Sequence, residues 1–261
     1  TTKLSLRNTD TNMPVKKKTK APGQGMTAKQ MKRRKPISQD YMLNIEPLTD
    51  NQKVMFDAWD EGKMIYAYGV AGTGKTFVAL YKALKEVLDD YSPYEKIYIV
   101  RSLVATREIG FLPGDHEDKS SLYQIPYKNM VQAMFEMPDD NSYEMLYDNL
   151  KAQETISFWS TSFIRGTTLD NSIVIIDECQ NLNFHELDSI ITRVGQDSKI
   201  IFCGDAAQTD LQKISERTGI IDFQRILQNM EEFSMIEFGI EDIVRSGLVK
   251  SYLINKINLG L

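Results

Sequence analysis

Apolar residues fall into two rhythms that alternate along most of the chain. Leu48-Thr49-Asp50-Asn51-Gln52 opens a helix-like stretch in which Val54, Met55, Ala58 and Trp59 recur at helical spacing. Met64-Ile65-Tyr66-Ala67-Tyr68 then reads as a short apolar strand ended by Gly69, and residues 77–88 return to helical periodicity through Val78, Leu80, Leu84 and Val87. Lys96-Ile97-Tyr98-Ile99-Val100 is a second strand. A polar, helix-rich section over residues 119–150 follows, with Pro126 and Pro138 inside it. Ile156-Ser157-Phe158-Trp159 reads as a third strand. Residues 172–177 form a fourth, whose unbroken β-branched run predicts burial on both faces. Helical spacing over 184–194, a fifth strand over 199–204 and helices around 220–230 and 241–257 complete the pattern. Strand and helix alternate, which predicts an α/β fold with a parallel sheet. The longest apolar runs are about five residues, far short of the roughly 20 needed to span a bilayer, so no membrane association is expected.

Charge divides the chain. Residues 1–40 carry 11 Lys/Arg against two Asp/Glu, a net of +9; residues 41–261 carry 20 against 34, a net of −14, giving −5 for the whole. The basic stretch has no aromatic residues and too few large apolar ones to offset its chain entropy. It reads as a flexible tail (1–40) ahead of a folded domain (41–261). Such an arm can hold phosphates by counterion release, or simply solvate or pack on an acidic surface. Two cysteines, Cys179 and Cys203, each beside an apolar run, are expected to be buried, reduced thiols of a cytoplasmic protein.

Between the first strand and the helix after it lies Gly69-Val70-Ala71-Gly72-Thr73-Gly74-Lys75-Thr76, which satisfies the G-x-x-x-x-G-K-[ST] phosphate loop. Its glycines let backbone amides turn inward, the following helix presents its positive end, Lys75 reaches the outer phosphates of ATP and the Thr76 hydroxyl can ligate Mg²⁺. The fourth strand delivers Asp177 to the carboxyl edge of the sheet, where it can hold the Mg²⁺ water shell. Glu178, one residue on, is placed to polarise an attacking water, which favours hydrolysis over transfer to a specific acceptor. Asp205 and Gln208, after the fifth strand, face the same crevice and could sense the γ-phosphate; a helix cap with a polar first turn explains them equally well. Tyr123, Tyr127, Phe135, Tyr143 and Tyr147 of the middle section read as helix core, with base stacking as the alternative.

Taken in order, these segments resemble the additional-strand, catalytic-glutamate class of P-loop ATPases, and more closely the PhoH-like phosphate-starvation family. The resemblance runs over about residues 48–253. It includes Asn51-Gln52, the phosphate loop, Gly110-Phe111-Leu112-Pro113-Gly114-Asp115 and Phe163-Ile164-Arg165-Gly166-Thr167-Thr168-Leu169. It continues with Asp177-Glu178-Cys179-Gln180-Asn181, Gly204-Asp205 with Gln208 and Asp210, and Asp242-Ile243-Val244-Arg245. It implies a RecA-like P-loop NTPase fold similar to the first motor domain of superfamily 1 helicases, Mg²⁺-dependent ATP hydrolysis, a ring-shaped homo-oligomer such as a hexamer, and a role with RNA or single-stranded nucleic acid. By the same resemblance Gln52 contacts adenine and Arg245 stabilises the transition state, in its own subunit or a neighbour's. Arg165 is a second such arginine, a γ-phosphate contact or a packing element. Cys179, Ser102 and Ser246 depart from the residues usual in the family, and the compact domain is consistent with a phage-encoded version. No nuclease activity is expected, because residues 1–40 supply only Asp10 and Asp40 as carboxylates. The alternative to a motor is a scaffold that ATP orders and in which turnover is incidental.

Overall fold

The computed structural model describes residues 37–101, 116–164, 166–205 and 214–259, with the backbone alone at 116–123, 162–163 and 214–218. All belong to one compact unit, Lys35–Leu261. The body reaches back to Ile37, whose side chain is buried in the core. Ser102, the segment 110–115, Arg165, Gln208, Asp210 and the basic stretch through residue 36 lie outside the described residues.

The elements follow the chain as helix α1 (Asp50–Asp60), strand β1 (Met64–Gly69), α2 (Lys75–Val87), β2 (Lys96–Arg101), α3 (His116–Gln132), α4 (Asp140–Ala152), β3 (Ile156–Ser160) and the short α5 (Thr161–Ile164). They continue with β4 (Ser172–Asp177), α6 (Phe184–Ile191), β5 (Lys199–Gly204), α7 (Ile214–Gln228), β6 (Phe233–Phe238) and α8 (Gly247–Asn258). One six-stranded sheet runs in the order β3-β2-β4-β5-β1-β6 with every pair parallel. β5 stands between the phosphate-loop strand β1 and the acidic strand β4, the additional strand that the resemblance implied.

Why β4 carries no polar residue between its ends is visible in its surroundings. Its period-two pleat sends Ile173 and Ile175 into a core shared with α1 through α4, and Val174 and Ile176 into a second core with α6 and α7. A strand buried on both faces has no solvent side to spend a polar residue on. The crossover after β1 passes over the first face, while those after β4 and β5 pass over the second. The neighbours β1 and β5 therefore form a switch point, where a crevice opens at the carboxyl ends of the strands. Register brings those ends level. Gly69 pairs with Phe238, Tyr68 with Gly204, and Arg101 with Asp177.

The predicted pattern missed β6. Residues 233–238 mix Ser234 and Glu237 into a six-residue edge strand that is only partly buried, so neither a buried run nor a helical stripe announces it. The final helix starts at Gly247, not 241, because Ile240–Asp242 form a single 3₁₀ turn, and α6 stops at Ile191. The middle section is two helices, and Tyr127, Phe135, Tyr143 and Tyr147 are buried in the first core. Both cysteines are free and buried, as expected. Among the described residues no helix is long and apolar enough to cross a membrane.

Candidate active site

The loop from Gly69 to Thr76 leaves β1 and enters α2 through three glycines in the left-handed region, at φ of 116° (Gly69), 76° (Gly72) and 84° (Gly74). Successive turns of this kind make a backbone nest in which amides converge on an anion, and the first turn of α2 adds the positive end of its dipole. Three neighbours hold the loop. Val70 donates its N–H to Phe238 O at 2.9 Å, Val244 donates to Gly72 O at 3.0 Å, and the Gln52 side chain donates Nε2 to Thr73 O at 2.9 Å. The Lys75 ammonium donates to Val70 O (2.7 Å), Gly69 O (3.2 Å) and Thr73 Oγ1 (3.2 Å). Burial pushes its pKa below the ordinary lysine value, against which Cys203, Asp205, Glu178 and Asp177 pull it back up. It also stands 5.7 Å from the centre of the Phe238 ring, so the strand missed in the sequence packs against the lysine of the loop.

The acidic residues come from the end of β4. Thr76 Oγ1 donates to Asp177 Oδ1 at 2.7 Å, closing a span of 101 residues in sequence. The other carboxylate oxygen, Oδ2, accepts from the Tyr127 hydroxyl of α3 at 2.6 Å. Glu178 departs from the strand in the left-handed region, at φ 53°, unusual for a side-chain-bearing residue and common at functional turns. Gln180 donates Nε2 to Glu178 Oε2 at 2.6 Å and accepts from Asp205 N at 2.9 Å, so one amide ties the acidic turn to the end of β5. Arg101 Nη2 lies 3.9 Å from Glu178 Oε1. Gly204 lets these segments approach: a Cβ there would sit 2.6 Å from Cys179 Sγ and 2.9 Å from Gln180 Oε1.

Gln52 is buried under the loop, and its Oε1 accepts from Leu48 N at 2.8 Å while Nε2 serves Thr73. One lone pair and one amide hydrogen are left over after these two bonds. Arg245 packs against the loop of its own chain, since a Cβ on Gly72 would lie 3.0 Å from Arg245 Cγ. Asp242 anchors that segment by accepting from Asn51 Nδ2 (2.8 Å) and Gly239 N (2.9 Å). Burial alone would raise the Asp242 pKa, but the hydrogen bonds from Asn51, Thr49 and Gly239 outweigh it and hold the carboxyl below its ordinary value.

A cavity of about 580 Å³ joins these parts, lined among others by Gln52, the loop from Ala71 through Thr76, Arg101, Tyr127, Asp177, Glu178, Asp205 and Arg245. Of the residues singled out in the sequence, Gln52, Lys75, Thr76, Asp177, Glu178, Asp205 and Arg245 thus meet at one opening, while Arg165 and Gln208 lie outside the described residues. Tyr127, Phe238 and the bridging role of Gln180 were not legible in the sequence, because each acts through a contact between distant segments. Among the described residues no group of three or more His, Cys, Asp or Glu side chains forms a metal cage. A hydroxyl and one carboxylate beside a phosphate loop instead suit Mg²⁺, which takes one or two protein oxygens and completes its shell with water and phosphate.

Residues 44–255 match the family described as PhoH-like protein. The PhoH-like protein of Mycobacterium leprae is 32% identical over 206 residues, 78% of this chain and 56% of that one. The PhoH-like protein of Bacillus subtilis is 32% identical over 215 residues, 79% of this chain and 62% of that one. The chain thus spans a little over half the length of these curated relatives. Among solved structures, the large terminase from a thermophilic bacteriophage superposes with a TM-score of 0.46 at 13% identity, over 79% of this chain and 50% of that one. The matched family range begins before Gln52 and ends beyond Arg245, taking in every element of the site, and the chain belongs to the PhoH-like protein family.

Proposed function

We propose that this chain binds ATP with Mg²⁺ at the phosphate loop and hydrolyses it, coupled to RNA or single-stranded nucleic acid, as a ring-shaped homo-oligomer in the cytoplasm. The observation that carries the reading is the junction of Thr76 and Asp177 at 2.7 Å, with Lys75 and Glu178 on the same cavity. Lys75 would leave the loop carbonyls for the outer phosphates, whose negative charge would offset the burial that disfavours its ammonium. Thr76 and Asp177 would hold the cation, which supplies charge neutralisation across the phosphates. Glu178, half-buried at the cavity, would accept the proton of the attacking water. Arg245 packs on Gly72 and lines the cavity, and its guanidinium would offset negative charge in the transition state. Self-association draws support from α8, which begins two residues after Arg245 and buries none of its residues while exposing Leu248, Val249 and Tyr252. A cytoplasmic setting suits the two free thiols.

Steady-state ATP hydrolysis measured against protein concentration, with and without single-stranded RNA, tests the reading. Glu178→Gln should lower turnover at least about 100-fold while nucleotide still binds. Lys75→Ala should lose both, and Arg245→Ala should lose rate more than binding. Specific activity that rises with concentration would support assembly. Wild-type protein that binds ATP but never exceeds the Glu178→Gln background would sink the enzymatic reading. The second reading, a nucleotide-ordered scaffold, draws on the way Gln180 and Arg101 both engage Glu178. It predicts that biological function survives Glu178→Gln.

A further inference from the structure

The cation-binding carboxylate is held from two sides, and the second holder is a residue that no phosphate-loop motif contains. Asp177 Oδ1 accepts from Thr76, in the first turn of α2. Asp177 Oδ2 accepts from Tyr127, a buried residue of α3, at 2.6 Å. The Tyr127 ring packs beside Phe158 of β3, with centroids 5.4 Å apart. Each carboxylate oxygen accepts about two hydrogen bonds or metal contacts. The two donors therefore leave one lone pair on each oxygen and lock the plane of the carboxylate, which otherwise turns about its terminal torsion over a broad, two-fold well.

We propose that Tyr127 is a positioning residue for the divalent-cation site, orienting Asp177 so that its remaining lone pairs face the Mg²⁺ that accompanies the nucleotide. The role rests on the nucleotide-binding reading above and extends it to α3. Groups that hydrogen-bond a metal ligand typically change metal affinity about 10- to 100-fold when removed. Because the Tyr127 hydroxyl bonds to Asp177, its loss should weaken the contribution of the cation and spare that of the phosphates.

The test is equilibrium binding of a fluorescent ADP analogue, in EDTA and across a Mg²⁺ titration, with circular dichroism and thermal melting alongside. Tyr127→Phe keeps the ring and removes only the hydroxyl. It should bind nucleotide in EDTA within about twofold of wild type, yet need about tenfold more Mg²⁺ to reach half of the Mg²⁺-dependent tightening. In an Asp177→Asn background the same substitution should no longer move the Mg²⁺ curve. Phe158→Leu loosens the packing but keeps the hydroxyl; it should lower the melting temperature and leave the Mg²⁺ curve in place. An unchanged Mg²⁺ curve in folded Tyr127→Phe overturns the role, as does equal weakening in EDTA and Mg²⁺. It is overturned too if Phe158→Leu moves the curve as far, since packing would then be the cause. Wild-type protein that binds no nucleotide in either buffer would overturn the reading of the site itself, and the Tyr127 role with it.

Discussion

Gly69 is where two strands and a ligand loop compete for the same space. Its φ of 116° already excludes an ordinary side chain, and a Cβ would stand 2.2 Å from Phe238 O and 2.9 Å from Phe238 N. Those backbone atoms belong to β6, which bonds to Val70 and carries the ring beside Lys75. Gly69→Ala would therefore have to part β1 from β6 or unwind the loop, at a cost of roughly 2–4 kcal/mol. Gly62 is the internal comparison: it also has positive φ, at 82°, but nothing lies within 4 Å of its Cβ position. Gly62→Ala should cost only about 1–2 kcal/mol, the strain of a left-handed alanine. Urea unfolding of the two variants separates conformational strain from steric overlap. Equal costs would mean that the approach of β6 to the loop is not as close as described. At this scale the glycines, Lys75 and Thr76 were legible because their chemistry is written in adjacent residues. Tyr127 was not, since 50 residues separate it from the carboxylate it touches. Its helical spacing reads as core, which it also is.

Elements depend on their ends, and α4 offers an end whose charge can be titrated. Asp139 caps the helix by accepting from Ser142 N at 2.7 Å. The backbone amide and side chain of Ser142 hold its carboxyl below the ordinary aspartate value. A depressed folded pKa means the cap contributes fully above the unfolded value of about 3.9 and is lost as pH falls through the folded one. Asp139→Ala should thus lower stability at pH 7, and the gap from wild type should narrow as pH drops from 4 toward 3. Asp139→Asn, an uncharged cap, should keep its advantage over Ala across that range. Urea midpoints at each pH provide the check; a gap equally wide at both ends would show that the ionised carboxylate is not the cap. The same dependence on ends and neighbours decides which elements the sequence could announce. β4 and β5 are buried from end to end, so burial alone wrote their apolar runs. β6 pairs on one side only and faces solvent in part, so selection for burial acts on few of its positions. Its pairing with β1 supplies the stability that its own pattern lacks. The turn at Ile240–Asp242 was hidden for a related reason. It is fixed by Asn51, almost 200 residues earlier, through the bond between Asn51 Nδ2 and Asp242.

On the scale of the whole molecule, charge is the property that the fold leaves unexplained. The first 40 residues hold 11 of the chain's 31 Lys/Arg, and the remainder is strongly acidic. A surface of that sign repels phosphates, so residues 41–261 alone should have little general affinity for nucleic acid. If RNA is the partner, the basic stretch must supply most of the counterion release that drives binding. A chain shortened by residues 1–36 keeps Ile37, which is buried in the core, and every residue named at the site. The shortened chain should bind a fluorescent ADP analogue as the full chain does, while its affinity for a short single-stranded RNA at low salt should fall at least about tenfold. A plot of log affinity against log salt should flatten by about 0.7 for each phosphate of a single strand that the basic stretch had neutralised. An unchanged slope would place the nucleic-acid contacts on the folded domain, and Arg101, which lies beside Glu178 on the cavity, would then become the first residue to substitute. A tail that instead packs on its own acidic domain predicts the reverse: its removal would raise the affinity of the remaining chain for basic ligands and leave RNA binding weak throughout. The salt slope separates these outcomes because only contacts with phosphate release the condensed ions of the nucleic acid.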